Sequence, residues 1–291
     1  MVGHLSSVLN SIHVGDPAAF RQRALTALQS GAVQVIYASA NNLRVFEGAT
    51  EEDIAVIQAY AGYPYPVAKR GAIFAITYMG KSTDLRRNLK DAVLSIRTEG
   101  DPTVASDLAD AFGPYGVPLT SLTLDEAKSV ASEFLLVDDW DFDQGAIPRF
   151  LNRFANLFPD ETYNLLLGRI QQNAQATENN QRRFRSFRLT HENISFASVP
   201  SEKQLLLGRD CIARLIGSDS AEELADLFWN IAGYEEASLG LILEVAPGID
   251  ERGVRNVATL IEQAIPRLAF SSPVFARDLL LVHKENASWG P

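Results

Sequence analysis

Acidic residues alternate with aromatic ones in Asp138-Asp139-Trp140-Asp141-Phe142-Asp143-Gln144-Gly145. Carboxylates at every second position open a calcium-binding EF-hand loop, where they converge on one hard cation. The pattern then breaks, because Gln144 takes the required glycine position and Phe150 stands where a bidentate glutamate should be. No metal is assigned. These acids are expected in the turn between two helices, at the N-terminus of the second, where negative charge is favoured. If exposed, Trp140 and Phe142 would form an acidic, aromatic docking point for a basic peptide.

A second stretch has the opposite charge. In Gln181-Arg182-Arg183-Phe184-Arg185-Ser186-Phe187-Arg188, four arginines interleave with two phenylalanines. Guanidinium groups can grip phosphates while the rings stack on bases, and the same groups could dock an acidic protein surface. Alternatively the preceding helix continues to about Leu189, with the rings packed inward and the arginines solvated. A third feature is the stiff turn Tyr60-Ala61-Gly62-Tyr63-Pro64-Tyr65-Pro66. Its Tyr63 and Tyr65 are candidate docking residues, since tyrosine joins apolar area to a polar tip. The alternative is that the rings cover the joint between two helices.

Nothing else reads as catalytic machinery. Gly80-Lys81-Ser82 lacks the earlier glycine of a phosphate-binding loop, and no HExxH or GxSxG segment is present. The four histidines, His4, His13, His191 and His283, are scattered. The single cysteine, Cys211, excludes an intrachain disulfide and a cysteine-cluster metal site, and its apolar surroundings point to core packing. No catalytic residue and no cofactor is assigned.

The elements that carry these residues are helical. Pro66, Pro102 and Pro273 each fit the first turn of a helix, where a missing N–H is no loss. Two places on stand Ala68, Val104 and Phe275, six places on Ala72, Leu108 and Leu279, and seven places on Ile73, Ala109 and Leu280. Such offsets put the apolar residues on one face. Caps and breakers delimit about fourteen helices in seven pairs. The first pair runs from Pro17 to Ser30, with Gly31 as stop, and from Ala32 to Phe46; Val33, Val35 and Tyr37 also alternate as a strand would. Thr50 and Asp53, and Thr123 and Glu126, have capping-box spacing. Later helices are expected from Ile147 to Leu157, Glu161 to Thr177, Glu202 to Ile216, Ser220 to Ala232, Glu235 to Val245, Glu251 to Phe270 and Pro273 to His283.

The segments at Pro66 and Pro102, 36 residues apart, resemble the second helix of HEAT repeats. The arginine that usually follows the valine is absent at Thr103-Val104. The resemblance to HEAT and armadillo arrays implies a single right-handed α-solenoid over residues 1–291, of about seven irregular pairs, with an Arg-rich insertion at about 178–200. An ordinary helical bundle is the alternative. The function implied is that of a non-enzymatic scaffold that binds a partner protein or peptide on a concave surface. A nucleic-acid-binding solenoid using Arg182–Arg188 is the second reading, and a sensor or regulatory array of a larger system the third.

Composition is compatible with all three. The 291 residues are 46% hydrophobic and 21% charged, as in a globular chain. With 36 acidic against 26 basic side chains the net charge is −10, so nucleic acid would need a local basic patch. No apolar run approaches the roughly 20 residues that span a bilayer, and the start lacks a basic segment followed by an apolar one. A cytoplasmic protein is expected.

Overall fold

In the computed structural model the described residues are 2–43, 50–79, 86–113, 116–140, 142–178, 194–233, 236–245, 249–271 and 277. Among them are fourteen α-helices, one short 3-10 turn and no strand. The chain divides into two compact units, Met1–Phe150 and Leu151–Pro291.

The first unit holds α1 (Val2–Gly15), α2 (Pro17–Ser30), α3 (Val33–Ala40), α4 (Glu51–Ala61), α5 (Pro66–Met79), α6 (Arg86–Leu94), α7 (Pro102–Ala111), α8 (Leu124–Leu135) and the first part of α9 (Phe142–Leu157). Local chemistry sets their ends. Asp16 accepts from Ala19 N–H ahead of Pro17, and Gly31, at φ 65, closes α2 in the left-handed region that favours glycine. Thr50 with Asp53 and Thr123 with Glu126 form complete capping boxes. The offsets after Pro66 and Pro102 are an inward face: Ala68, Ala72, Ile73, Val104, Leu108 and Ala109 are all buried. The Val33–Tyr37 stretch is helical, and α3 ends at Ala40, short of the expected Phe46.

Within this unit each helix from α1 to α6 adjoins the next but one. Odd helices adjoin in the order α1, α3, α5, α7, even helices in the order α2, α4, α6, α8, and α4 also packs on α5. Side-chain ties repeat at one interval. Tyr60 Oη donates to Ala24 O at 3.0 Å, 36 residues away, and Arg70 Nε to Asp107 Oδ2 at 2.6 Å, 37 away. Lys90 Nζ donates to Glu126 Oε2 at 3.1 Å, 36 away, and Thr98 N–H to Glu133 Oε2 at 2.8 Å, 35 away. The interval between Pro66 and Pro102 is thus the structural repeat here, shorter than seven equal pairs would give.

Two of these ties share a design. Arg21, on the second turn of α2, pairs with Asp53, and Lys90, on the second turn of α6, pairs with Glu126. Both acids are the third residue of their helix and complete its capping box. A carboxylate that satisfies the first turn of its own helix also receives a cation from the preceding helix of its row. Thr123 N–H, and then Lys90, hold the Glu126 carboxyl below its ordinary range.

The second unit contains the rest of α9, α10 (Pro159–Glu178), α11 (Ser201–Ile216), α12 (Ala221–Ala232), α13 (Glu236–Val245) and α14 (Glu251–Ser271). Here α10 adjoins α12, α12 adjoins α14 and α11 adjoins α13, but α11 also packs closely on α12 and on α14. Ties again span one step. Arg209 reaches Glu244, 35 residues on, at 3.1 Å, and Trp229 Nε1 donates to Leu260 O, 31 on, at 3.0 Å.

Helix α1 has no counterpart in the sequence reading, while the expected Pro273–His283 helix falls outside the described residues except for Arg277. The fourteen helices among the described residues therefore differ in membership from the fourteen expected. No helix among the described residues is long and apolar enough to cross a membrane.

Candidate functional site

Exposed apolar side chains are distributed unevenly between the two rows. Of the eight large apolar residues that are exposed inside described helices, seven lie on odd-numbered ones: Val8, Val14, Val33, Tyr37, Phe74, Leu157 and Leu206. Leu124 is the exception, on α8. Single exposed apolar residues are normal on a surface, whereas their collection on the odd-numbered helices of each unit is informative. In the first unit Tyr37 and Phe74 stand on α3 and α5, which are in contact.

In the second unit the odd row opens into a groove of about 610 Å³. Arg209 and Glu244, the ninth residues of α11 and α13, form an ion pair that ties the two adjoining helices together. Opposite Leu205 and Leu206 of α11, the wall from α13 is low, because it is built from Ala237 and Gly240. A Cβ built at Gly240 would meet nothing within 4 Å. Leu206 is 56% exposed and Leu241, beside it, is buried. Lys203 and Glu202 close one end of the groove and the Arg209–Glu244 pair the other. Lys203 is held by Asp160 at 2.6 Å.

The other side of the same seam is filled. Gly208 of α11 sits so close to α12 and α13 that a Cβ there would come within 3.3–3.4 Å of Leu241, Ala232 and Phe228. Next to it Cys211 is fully buried and donates to Leu224 O at 3.3 Å. Burial pushes its thiol well above the ordinary value, which makes it a packing residue and a poor nucleophile. Tyr163 Oη and Arg214 Nε both donate to Asp210 Oδ2 at 2.7 Å. The Arg214 guanidinium holds the Asp210 carboxyl below its usual range, and burial raises the Tyr163 phenol. This cluster is satisfied internally and leaves no group directed at a ligand.

The residues singled out from sequence separate clearly. Arg182, Arg183, Phe184, Arg185, Phe187 and Arg188 lie outside the described residues. Trp140 is 8% exposed and its Nε1 donates to Phe134 O at 3.0 Å. The exposure that its docking role required is absent, so Trp140 is a core residue. Phe142 opens α9, and its side chain is outside the described set. Phe150, at the EF-hand glutamate position, is fully buried against Phe112 and Phe134. Among the described residues no group of three or more His, Cys, Asp or Glu could hold a metal. Tyr63 donates to Leu28 O at 2.9 Å and meets Tyr65 edge-on at 5.2 Å, which ties it to the α2 side of the joint. Tyr65 is 37% exposed. The structure therefore brings Tyr63 and Tyr65 together within the first unit, and the groove belongs to the second.

Sequence reasoning missed Leu206, Arg209, Gly240 and Glu244 in the groove, and Tyr37 and Phe74 on the first unit. A signal existed. Leu205-Leu206-Leu207 cannot all face one side of a helix, and Phe74 stands between Ile73 and Ala75, which take the buried face.

Comparison with family models, with curated proteins and with solved structures gives no match to this chain.

Proposed function

We propose that this chain is a non-enzymatic recognition protein built as a HEAT- or armadillo-like, right-handed α-solenoid, and that its odd-numbered helices bind a partner protein or peptide. The observation that carries the reading is the concentration of exposed apolar residues on that row, in both units. The next-but-one packing order and the side-chain ties at 35–37 residues in the first unit support the solenoid assignment. In arrays of this kind one row of helices forms the extended binding face, and large apolar or aromatic side chains there anchor a partner.

A photo-crosslinking amino acid placed in the full chain at Tyr37, Leu206 or Leu124 tests this in native lysate. Protein adducts from the first two positions and not from Leu124 are expected, and they should survive nuclease and moderate salt. Equal adducts from Leu124 would overturn the choice of row. Capture that disappears with nuclease, and on replacing Arg182, Arg183, Arg185 and Arg188 by serine, would establish the nucleic-acid reading instead.

A further inference from the structure

We infer that α1 is an acid-released end helix, freed from its seat on α2 and α3 when the buried ring of His13 takes up a proton. Helix α1 stands at the end of the odd row, where it adjoins α2 and α3. Its sequence contains no Asp, Glu, Lys or Arg, so none of its side chains fastens it by an ion pair of that kind. Among its described side chains only Leu9 and His13 are buried, four residues apart on one face. One of the two side chains that anchor the helix is therefore ionisable.

Two fastenings meet at His13. Its ring lies against Phe20 of α2, with centroids 4.4 Å apart and planes at 16°. Its Nδ1 is 3.2 Å from Asn42 O, and because a carbonyl only accepts, the bonded tautomer carries its hydrogen on Nδ1. The titrating proton goes to Nε2. Asn42 in turn donates its amide to Ser6 O, Ser6 Oγ and Ala38 O, at 3.2, 3.1 and 2.7 Å, which ties α1 to the end of α3.

The proton brings a charge into this closed seat. Burial opposes it most, Asn42 O and Asp53 of α4 favour it, and Arg21 of α2 repels it. Arg23 of α2 and Tyr37, the one titratable side chain of α3, are exposed. Asp53 has little left to offer a cation. Its Oδ1 already accepts from Arg21 at 2.9 Å and its Oδ2 from Thr50 N–H at 2.7 Å. Leaving the seat returns the charged ring to water and uncovers Phe20, which is fully buried when α1 is in place. The released ring has the ordinary pKa of 6.5 and the seated one a lower value, so α1 stays seated above about pH 6.5. Below that, one proton raises the released-to-seated ratio by at most about tenfold per pH unit, until the lowered value is passed.

Nuclear magnetic resonance of the full chain, taken from about pH 7.5 to about pH 5, tests this. The His13 ring is expected to titrate below 6.5. Over the same range α1 amides should move from helical towards random-coil shifts, while those of α5 and α7 stay in place. His13→Gln should leave the α1 shifts constant with pH. His4→Gln, at an exposed position of the same helix, should respond as the wild type does. An α1 that keeps its helical shifts down to about pH 5 overturns the inference, and so does loss of α1 together with α5 and α7. A response retained in His13→Gln, or abolished by His4→Gln, overturns it as well. The wild-type titration alone shows whether ring and helix change together, so the inference is decided even if α1 of His13→Gln never seats.

Discussion

The close approach of α3 and α5 makes a one-methyl substitution with a definite sign. A Cβ at Gly71 would lie 2.4 Å from the Ala40 Cβ, 2.7 Å from its Cα and 2.9 Å from its carbonyl oxygen. Carbon atoms in contact rest about 3.5–4.0 Å apart. Two of the three obstacles are backbone, so no rotamer change relieves them and the helices must separate. Overpacking of this kind costs about 1–3 kcal/mol. Replacing glycine by alanine inside a helix returns about 0.8–1 kcal/mol. Gly71→Ala is therefore expected to destabilise the first unit by up to about 2 kcal/mol, and Gly71→Leu by more. The control is Gly240→Ala on α13, where the added methyl meets nothing within 4 Å. It should stabilise by about 0.5–1 kcal/mol. Urea unfolding gives the two signs, and amide hydrogen exchange places the Gly71 effect on α3 and α5. Local exchange is needed because a nearest-neighbour stack is not obliged to unfold in one step. Equal stabilisation by both substitutions would refute the close approach and, with it, the packing of the odd row.

His13 gives a pH dependence. Its ring stacks on Phe20 at 4.4 Å, Nδ1 lies 3.2 Å from Asn42 O, and burial holds its pKa below the ordinary value of 6.5. Asn42 O and the charge of Asp53 oppose that shift, and Arg21 adds to it. The unfolded chain takes up the proton first, so this stability is complete above about pH 6.5 and is lost as pH falls towards the lowered value of the fold. Protection factors of α1 amides, corrected for the intrinsic pH dependence of exchange, should fall on acidification, and His13→Gln should flatten the response. Cys211, the one cysteine of the chain, should resist iodoacetamide in the native state and react at a rate set by opening of the second unit; fast labelling without denaturant would show that its burial is wrong. Thr123→Ala removes the acceptor for Glu126 N–H and should lower stability by about 1 kcal/mol, more than Lys90→Met, which breaks a partly exposed ion pair.

Helix ends were legible where a local rule acts alone. Asp16-Pro17, Gly31, Thr50 with Asp53 and Thr123 with Glu126 each need only their own neighbours, and each does what its spacing implies. Helix α1 begins without a capping signal and was missed for that reason, although Leu5, Val8, Leu9 and Ile12 recur at helical spacing. The turn at Asp138–Asp141 showed a different limit. Trp140 reads as a surface aromatic among acids, yet its indole N–H finds the Phe134 carbonyl, a partner fixed by tertiary packing rather than by spacing. For the groove, sequence offers one leucine out of phase at Leu206, while its complement is the lack of side-chain volume at Gly240, 34 residues later. Only the packing of α11 on α13, tied by Arg209 and Glu244, brings the two together.

The ties that repeat at 35–37 residues in the first unit also fix how that unit would carry load. Each fastens a helix pair to its immediate successor, so tension applied along the chain meets the fasteners in series. The Tyr60–Ala24 tie closes a stretch of its own, and its parting would release roughly 110 Å of slack, from about 36 residues drawn out less the thickness of one helix layer. The ties from Arg70, Lys90 and Thr98 close overlapping stretches and release a shared length. A chain fastened in this way behaves as an extensible spring with discrete steps, and the Arg70–Asp107 and Lys90–Glu126 clasps are where its stiffness could be tuned.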